Sequence, residues 1–585
     1  MLYSNQRIIF EKKQTMKSAY VIVILLSLLS LSSCMKGKSV DTVIHNAQIH
    51  VMDDLGTIQE AVAIRDGIII EVGPERQILN KYSADEYIDA QKRDVYPGFT
   101  DAHAHILSYA RQKISVDLVG CKSYDEMLVR IEKYQSKHNR KFIIGRGWDQ
   151  SLWKEGEMPT NERLNELFPD IPVCLFRIDG HALLANDYLM EKSDVINKVL
   201  NDSELSSGGY FIFKNPEVIL IPQDNAYVPQ ISLMAAPEYS GVMVDNAMNP
   251  ILNILPDFPE QELKQAILEI QDELFSYGIT GVHEAGMQQH EVQLFKKLMD
   301  QDELKLNIYG MLMPTPENIA FAKKEGVYEY KSMLIRSFKV YGDGALGSRG
   351  AFLKEAYSDK HDHHGYLCTS MERMKEIADL CTDLGYQMNT HAIGDSTNRL
   401  MLELYQAINE INPDHRWRIE HAQIVDPADF ELFARAGVFP SVQPTHAVSD
   451  QRWAESRIGE HRMKGAYAYK SLLKQFGMIA IGTDFPVELT DPFLTIHAAV
   501  NRKNSENFPG AGFLVEERIS LDECLKGMTL WAAMASFQEN QLGTIEKGKD
   551  ATLVIFESPV KANESFTPNF SYTTFIKGKK VYSVE

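Results

Sequence analysis

The chain has 585 residues, 44% hydrophobic and 24% charged, the balance of an ordinary globular protein with room for a large core and a smaller domain. Its formal net charge of −20, with no offsetting basic tract, argues against nucleic acid as a partner. Cys121, Cys174, Cys368, Cys381 and Cys524 are scattered, with no C-x-x-C, and read as buried thiols rather than a disulfide framework.

At the N-terminus, Arg7, Lys12, Lys13 and Lys17 precede the apolar run "AYVIVILLSLLSLSSC". A basic region, a short apolar region and small residues describe an export signal over residues 1–33, and the run is short for a membrane span. The ending "LSSC" resembles a bacterial lipoprotein box, with cleavage before Cys34 and a lipid on Cys34. The alternative is a plain membrane anchor, and Met16 is an alternative start. Either way the body is expected outside the cytoplasm, at the periplasm or cell surface of a bacterial envelope. Removing residues 1–33, which carry four basic residues and one acidic, would take the charge from −20 to −23.

"TVIHNAQIHVM" and "EAVAIRDGIIIEVG" then read as strands, with Asp66-Gly67 as a hairpin turn. "ATLVIF" and "TTFIKGKKVYS" repeat this style near the C-terminus. Residues 40–96 and 536–585 are therefore expected to form one small β-sandwich-like domain from both ends of the chain. Between them, strands are expected near 95–103, 279–285, 306–312, 338–344, 386–393, 416–422, 438–444 and 478–484, alternating with helical patterns. That order predicts an α/β fold, a (β/α)8 barrel over 97–500, with an open doubly wound sheet as the alternative. The first gap, about 106–278, is too long for a loop and is expected to be an inserted subdomain over the active end of the barrel.

"YPGFTDAHAHI" sets His103 and His105 on one face of an extended strand, so that both rings can aim at one point. Lys339, His391, His421 and Asp484 fall in or at the ends of later strands. Singly, the histidines read as core residues, Lys339 as a paired lysine and Asp484 as a cap. Jointly they sit on one rim and read as a metal site.

With "PGFTDAHAH", "GRGWDQSLW", "RIDGHALLAN", "KVYGDGALGSR", "HAIGD", "RIEHAQ", "QPTHAVSD", "IGTDFPV" and "LGTIEKGKDATLVIF" in order, the chain resembles the amidohydrolase superfamily. Within it, the chain looks like amidohydrolase family 3, the branch with N-substituted formamide deformylase-like enzymes. The resemblance implies a divalent metal, usually zinc, on His103, His105 and Asp484. It implies a second ion on His391 and His421, bridged by a carboxylated Lys339; members with one metal need fewer ligands. The implied reaction is hydrolysis of an amide-type carbon–nitrogen bond by metal-activated water, with Asp484 as base and then acid.

Trp148, Asp149 and Trp153 are expected either to clasp an N-substituent or to pack the insertion. His181 is read as a substrate contact or a partner of a loop carbonyl, and Gln443 and His446 as rim residues. Two further readings stay open: the same site cleaving a cyclic amide, carbamate or ester, and a surface lipoprotein that only binds a small molecule or metal. Asp484, a proton shuttle that a binding protein would not need, counts against the second.

Overall fold

The structure is a computed structural model describing residues 37–202, 205–206, 208–214, 220–223, 226–229 and 238–584. The expected export signal and Cys34 lie outside the described residues, as does part of the insertion. Among the described residues, no helix is long and apolar enough to cross a membrane, and the five cysteines are free.

Eight parallel strands follow one another around a ring: β1 (Phe99–Ala104), β2 (Ile279–Met287), β3 (Asn307–Leu312), β4 (Met333–Tyr341), β5 (Gln387–Ala392), β6 (Arg418–His421), β7 (Phe439–Val442) and β8 (Ala480–Ile481). They are buried on both faces, which is why they read as apolar runs. No ladder joins β8 to β1 among the described residues; the ring is nearly closed by hydrogen bonds just beyond β8. Asp484 N–H donates to the His103 carbonyl at 2.7 Å, and His105 N–H to the Phe485 carbonyl at 2.9 Å. The Asp101 carboxylate accepts from Thr483 N–H at 3.0 Å and from its hydroxyl at 2.7 Å. This return of the last strand to the first sets aside the open sheet.

The strand expected over 95–103 is two strands. Asp94–Pro97 pairs with Leu553–Phe556, whereas β1 pairs with β2. The break falls at Gly98, where a Cβ would sit 2.2 Å from Thr280 Oγ1. Asp94–Pro97 belongs to a six-stranded sheet that also holds Gln48–His50, Ile58–Gln59, Ser571–Ile576 and Lys579–Ser583. A four-stranded sheet of Lys38–His45, Ala61–Arg65, Ile68–Gly73 and Tyr82–Asp89 shares its core through Ile44, Ile64, Val95, Leu553 and Phe575. Asp66-Gly67, with φ of 54° and 77°, has the φ signs of a type I′ hairpin turn.

After β1 the helix Ile106–Lys113 begins, its first N–H groups held by the Glu284 carboxylate of β2 at 2.6 Å and 3.2 Å. The chain then builds a second six-stranded sheet and returns through the helix Glu260–Ser276. One of its strands, Ile143–Trp148, decides which side chains reach the barrel mouth. Ile144 and Arg146 line the cavity there, while Ile143 packs into the subdomain core. The ladder shifts register between Arg146 and Trp148, with Gly147 at φ 115°, so Trp148 returns to the core face.

Candidate metal centre

The C-terminal ends of the barrel strands open into a cavity of about 1090 Å³, lined by His105, Lys339, His391, His421, His446 and Asp484 among others. Strand alternation and the seam between β8 and β1 bring His105 and Asp484 of this lining to one point with the fully buried His103. His105 Nε2 lies 3.1 Å and His103 Nε2 3.6 Å from Asp484 Oδ1. Lys339 Nζ lies 3.0 Å from His103 Nε2. The His391 ring is 4.5 Å from that of His421, with Nε2 3.7 Å from Asp343 Oδ1.

Two sets of donor atoms each lie within 4.8 Å of one another: His103, His105 and Asp484, and His421, His446 and Asp484. His446, expected as a rim residue, therefore joins a donor set, with its ring stacked 5.9 Å from His421; His391 stands beside that set. Asp484 Oδ1 and His446 Nε2 are buried without a hydrogen-bond partner. Backbone strain marks the same places, since His421 and Asp484 hold φ of 74° and 62°.

Burial lowers the His103 pKa to about 4 and takes His391 and His421 well below their usual range. The imidazoles are thus neutral, with lone pairs to offer. Burial works against the Asp484 charge, but His105, His103 and His421 outweigh it and hold its carboxyl well below the usual range. Burial brings Lys339 down to about 8. Neutral imidazoles, a carboxylate and orphaned acceptors at one point fit a divalent cation.

Supporting contacts fix the rings. His103 Nδ1 lies 2.5 Å from Glu420 Oε2, a carboxylate that also pairs with Arg418 inside the barrel at 2.7 Å. With Nδ1–H given to Glu420, His103 Nε2 is left as the donor atom. His421 Nδ1–H likewise donates to Gln443 Oε1 at 2.8 Å, so Gln443 orients a ring rather than forming the rim. Glu420 escaped the sequence reading, although it stands beside His421 in "RIEHAQ" and two residues from Arg418, on one strand face.

The expected substrate residues separate. Trp148 and Trp153 pack in the insertion's core, their indole N–H groups donating to the Leu175 carbonyl at 2.8 Å and the Cys121 carbonyl at 3.1 Å. They do not line the cavity; the register shift at Gly147 explains why Trp148 does not. Asp149 does line it and pairs with Arg177 at 2.9 Å. His181 lines it too, with Nδ1 2.6 Å from Asp245 and its ring 5.0 Å from that of His391. Burial opposes the charge of His181, but Asp245 raises its pKa.

The family model described as "Amidohydrolase family", number 3 of that name, matches residues 86–582. Protein LONG AFTER FAR-RED 3 of Arabidopsis thaliana is 26% identical over 563 residues, covering 93% of this chain and 91% of that protein. N-substituted formamide deformylase of Arthrobacter pascens is 23% identical over 534 residues, covering 88% and 93%. An uncharacterized metal-dependent hydrolase of Pyrococcus horikoshii OT3 superposes with a TM-score of 0.69 at 25% identity, covering 88% of this chain and 97% of that one.

Proposed function

The chain belongs to the amidohydrolase family, and from that premise we propose that it hydrolyses the carbon–nitrogen bond of a small N-substituted amide or formamide. One observation carries this reading: His103 Nε2, His105 Nε2 and Asp484 Oδ1 converge at the floor of a cavity large enough for a small molecule. The likeness to N-substituted formamide deformylase supports the choice of bond. His103, His105 and Asp484 would hold a divalent ion, zinc in our reading. His421 would hold a second with His446 or His391, and a carboxylated Lys339 would supply a further oxygen donor. Bound there, the ion supplies Lewis acidity to the carbonyl and lowers the pKa of water.

The chain's own residues supply the rest. Asp484, a carboxylate at neutral pH, takes the proton that the attacking water loses and delivers it to the leaving nitrogen. Glu420 and Gln443 keep His103 and His421 in the tautomers that face inward. The insertion contributes Arg146, Asp149, Arg177 and His181 to the cavity wall. We also read residues 1–33 as a lipoprotein signal with the lipid on Cys34, which would place the reaction outside the cytoplasm.

The test is elemental analysis of the whole chain purified without chelator, followed by amine release from a panel of N-alkyl and N-aryl formamides and acetamides. At least one divalent ion per chain is expected, with release that stops on chelation and returns with zinc. Asp484→Asn should lower turnover by about 10²–10⁴-fold. An ion-loaded protein that releases no amine from any member overturns the reading.

A further inference from the structure

The wall that the insertion contributes to the cavity carries a cation that no carboxylate touches. Arg146 Nη2 donates to the Ile178 carbonyl at 3.3 Å, and its Nε is buried without a hydrogen-bond partner. Among the described residues it forms no ion pair. Asp179 pulls on it most strongly, yet the Asp179 oxygens are taken by Arg177 and by the His181 N–H. Two other arginines of this cavity are paired: Arg177 has Asp149 and Asp179, and Arg111 has Glu291; Arg452, on the barrel side, donates to the Ser449 carbonyl at 3.3 Å.

The strand that bears Arg146 aims it inward. Ile144 and Arg146 alternate onto the cavity side before the register shift at Gly147. Gly180, at φ 75°, leaves the guanidinium its space, since a Cβ there would lie 3.0 Å from Nη2 and 3.4 Å from Nη1. Arg146 shares the cavity with His105, Lys339 and Asp484, and its charge acts on His105 and Tyr341. A half-buried guanidinium without a carboxylate beside it is costly, and its fork of N–H groups matches a carboxylate in two parallel hydrogen bonds.

We propose that Arg146 anchors an anionic group of the substrate, so that the amide cleaved carries a carboxylate on one side of the scissile bond. This rests on the hydrolase reading of the same cavity. It makes Arg146 a specificity residue: an amide whose carboxylate is replaced by a neutral group of the same shape leaves the guanidinium desolvated and unpaired.

Calorimetric binding of 3-phenylpropionate and 3-phenylpropionamide, neither of which needs turnover, tests the anchor directly. The carboxylate should bind the ion-loaded wild type about 10²-fold more tightly than its amide. Arg146→Gln should bring that ratio close to one, and Arg146→Lys should restore part of it. The same ratio should appear in kcat/KM for N-acetyl amino acids against their carboxamides. A carboxylate that binds no better than its amide, or a preference that survives in Arg146→Gln, overturns the proposal. Carboxylate preference in binding with no hydrolysis of any amide would instead sink the hydrolase reading and leave the anchor standing. Amide hydrolysis with no such preference would do the reverse.

Discussion

Replacing Glu420 by glutamine tests how the site is held. The carboxylate meets His103 Nδ1 at 2.5 Å and Arg418 at 2.7 Å and 3.0 Å, with all three side chains fully buried. Glutamine keeps one acceptor oxygen and puts a donor where the other stood, so His103 or Arg418 must face an N–H. Breaking a buried ion pair by removing one charge costs about 3–5 kcal/mol of stability, because the other charge stays behind. Loss of a partner that orients a ligand histidine weakens metal binding by about 10–100-fold. Urea unfolding of the metal-free protein reads the first quantity, and zinc competition against a chromophoric chelator reads the second. Adding Arg418→Met should return part of the stability and none of the zinc affinity. The pH dependence has a definite sign. Burial raises the Glu420 pKa, but Arg418 and His103 outweigh it and hold the carboxyl far below its usual range. Its stabilisation is therefore complete above the unfolded value of about 4.3 and fades as pH falls through the folded value. The stability gap between wild type and Glu420→Gln should narrow with acid below about pH 4.3. Zinc affinity within about threefold of wild type would refute the claim that Glu420 prepares His103 as a ligand.

Three further outcomes are expected. Supplying ¹³C-bicarbonate with zinc should give a carbamate resonance that is absent from Lys339→Met; silence in both would leave Lys339 an unmodified amine. Trp148→Ala should cost about 3–5 kcal/mol in urea unfolding, because the indole fills the insertion's core. Its binding of small carboxylates should stay close to wild type while the protein is folded, and a selective loss of binding would return Trp148 to the cavity wall. Cys34→Ala should move the protein from the membrane to the soluble fraction of the expressing cell; unchanged sedimentation would point to the apolar run itself as the anchor.

The barrel was legible because its strands are short apolar runs spaced by helical patterns, and six of the eight lie within the segments expected or overlap them closely, while β4 begins at Met333 rather than near 338. The first misled because Pro97-Gly98 joins two strands of different sheets with no apolar break between them. His103, His105 and Asp484 could be gathered from their places at strand ends, and the structure brings them together. For Trp148 the choice between cavity and insertion core turned on one register shift that no periodicity announces. Glu420 and Asp101 were hidden for another reason. Carboxylates inside a barrel make sense only once their partners are known, and those partners lie 317 residues (His103) and 382 residues (Thr483) away in the chain.

The seam between β8 and β1 has a consequence for the protein's economy of motion. Strand β8 contributes only two residues to the sheet, and what fastens it to β1 is Thr483 on Asp101 and Asp484 on His103. The residues that clasp the ring shut are thus proposed metal ligands and their immediate neighbours. Free energy released by a ligand at Asp484 is also free energy that keeps the last strand in place. On the proposed function, an ion at Asp484 would steady the clasp as well as the site, and its loss would loosen both.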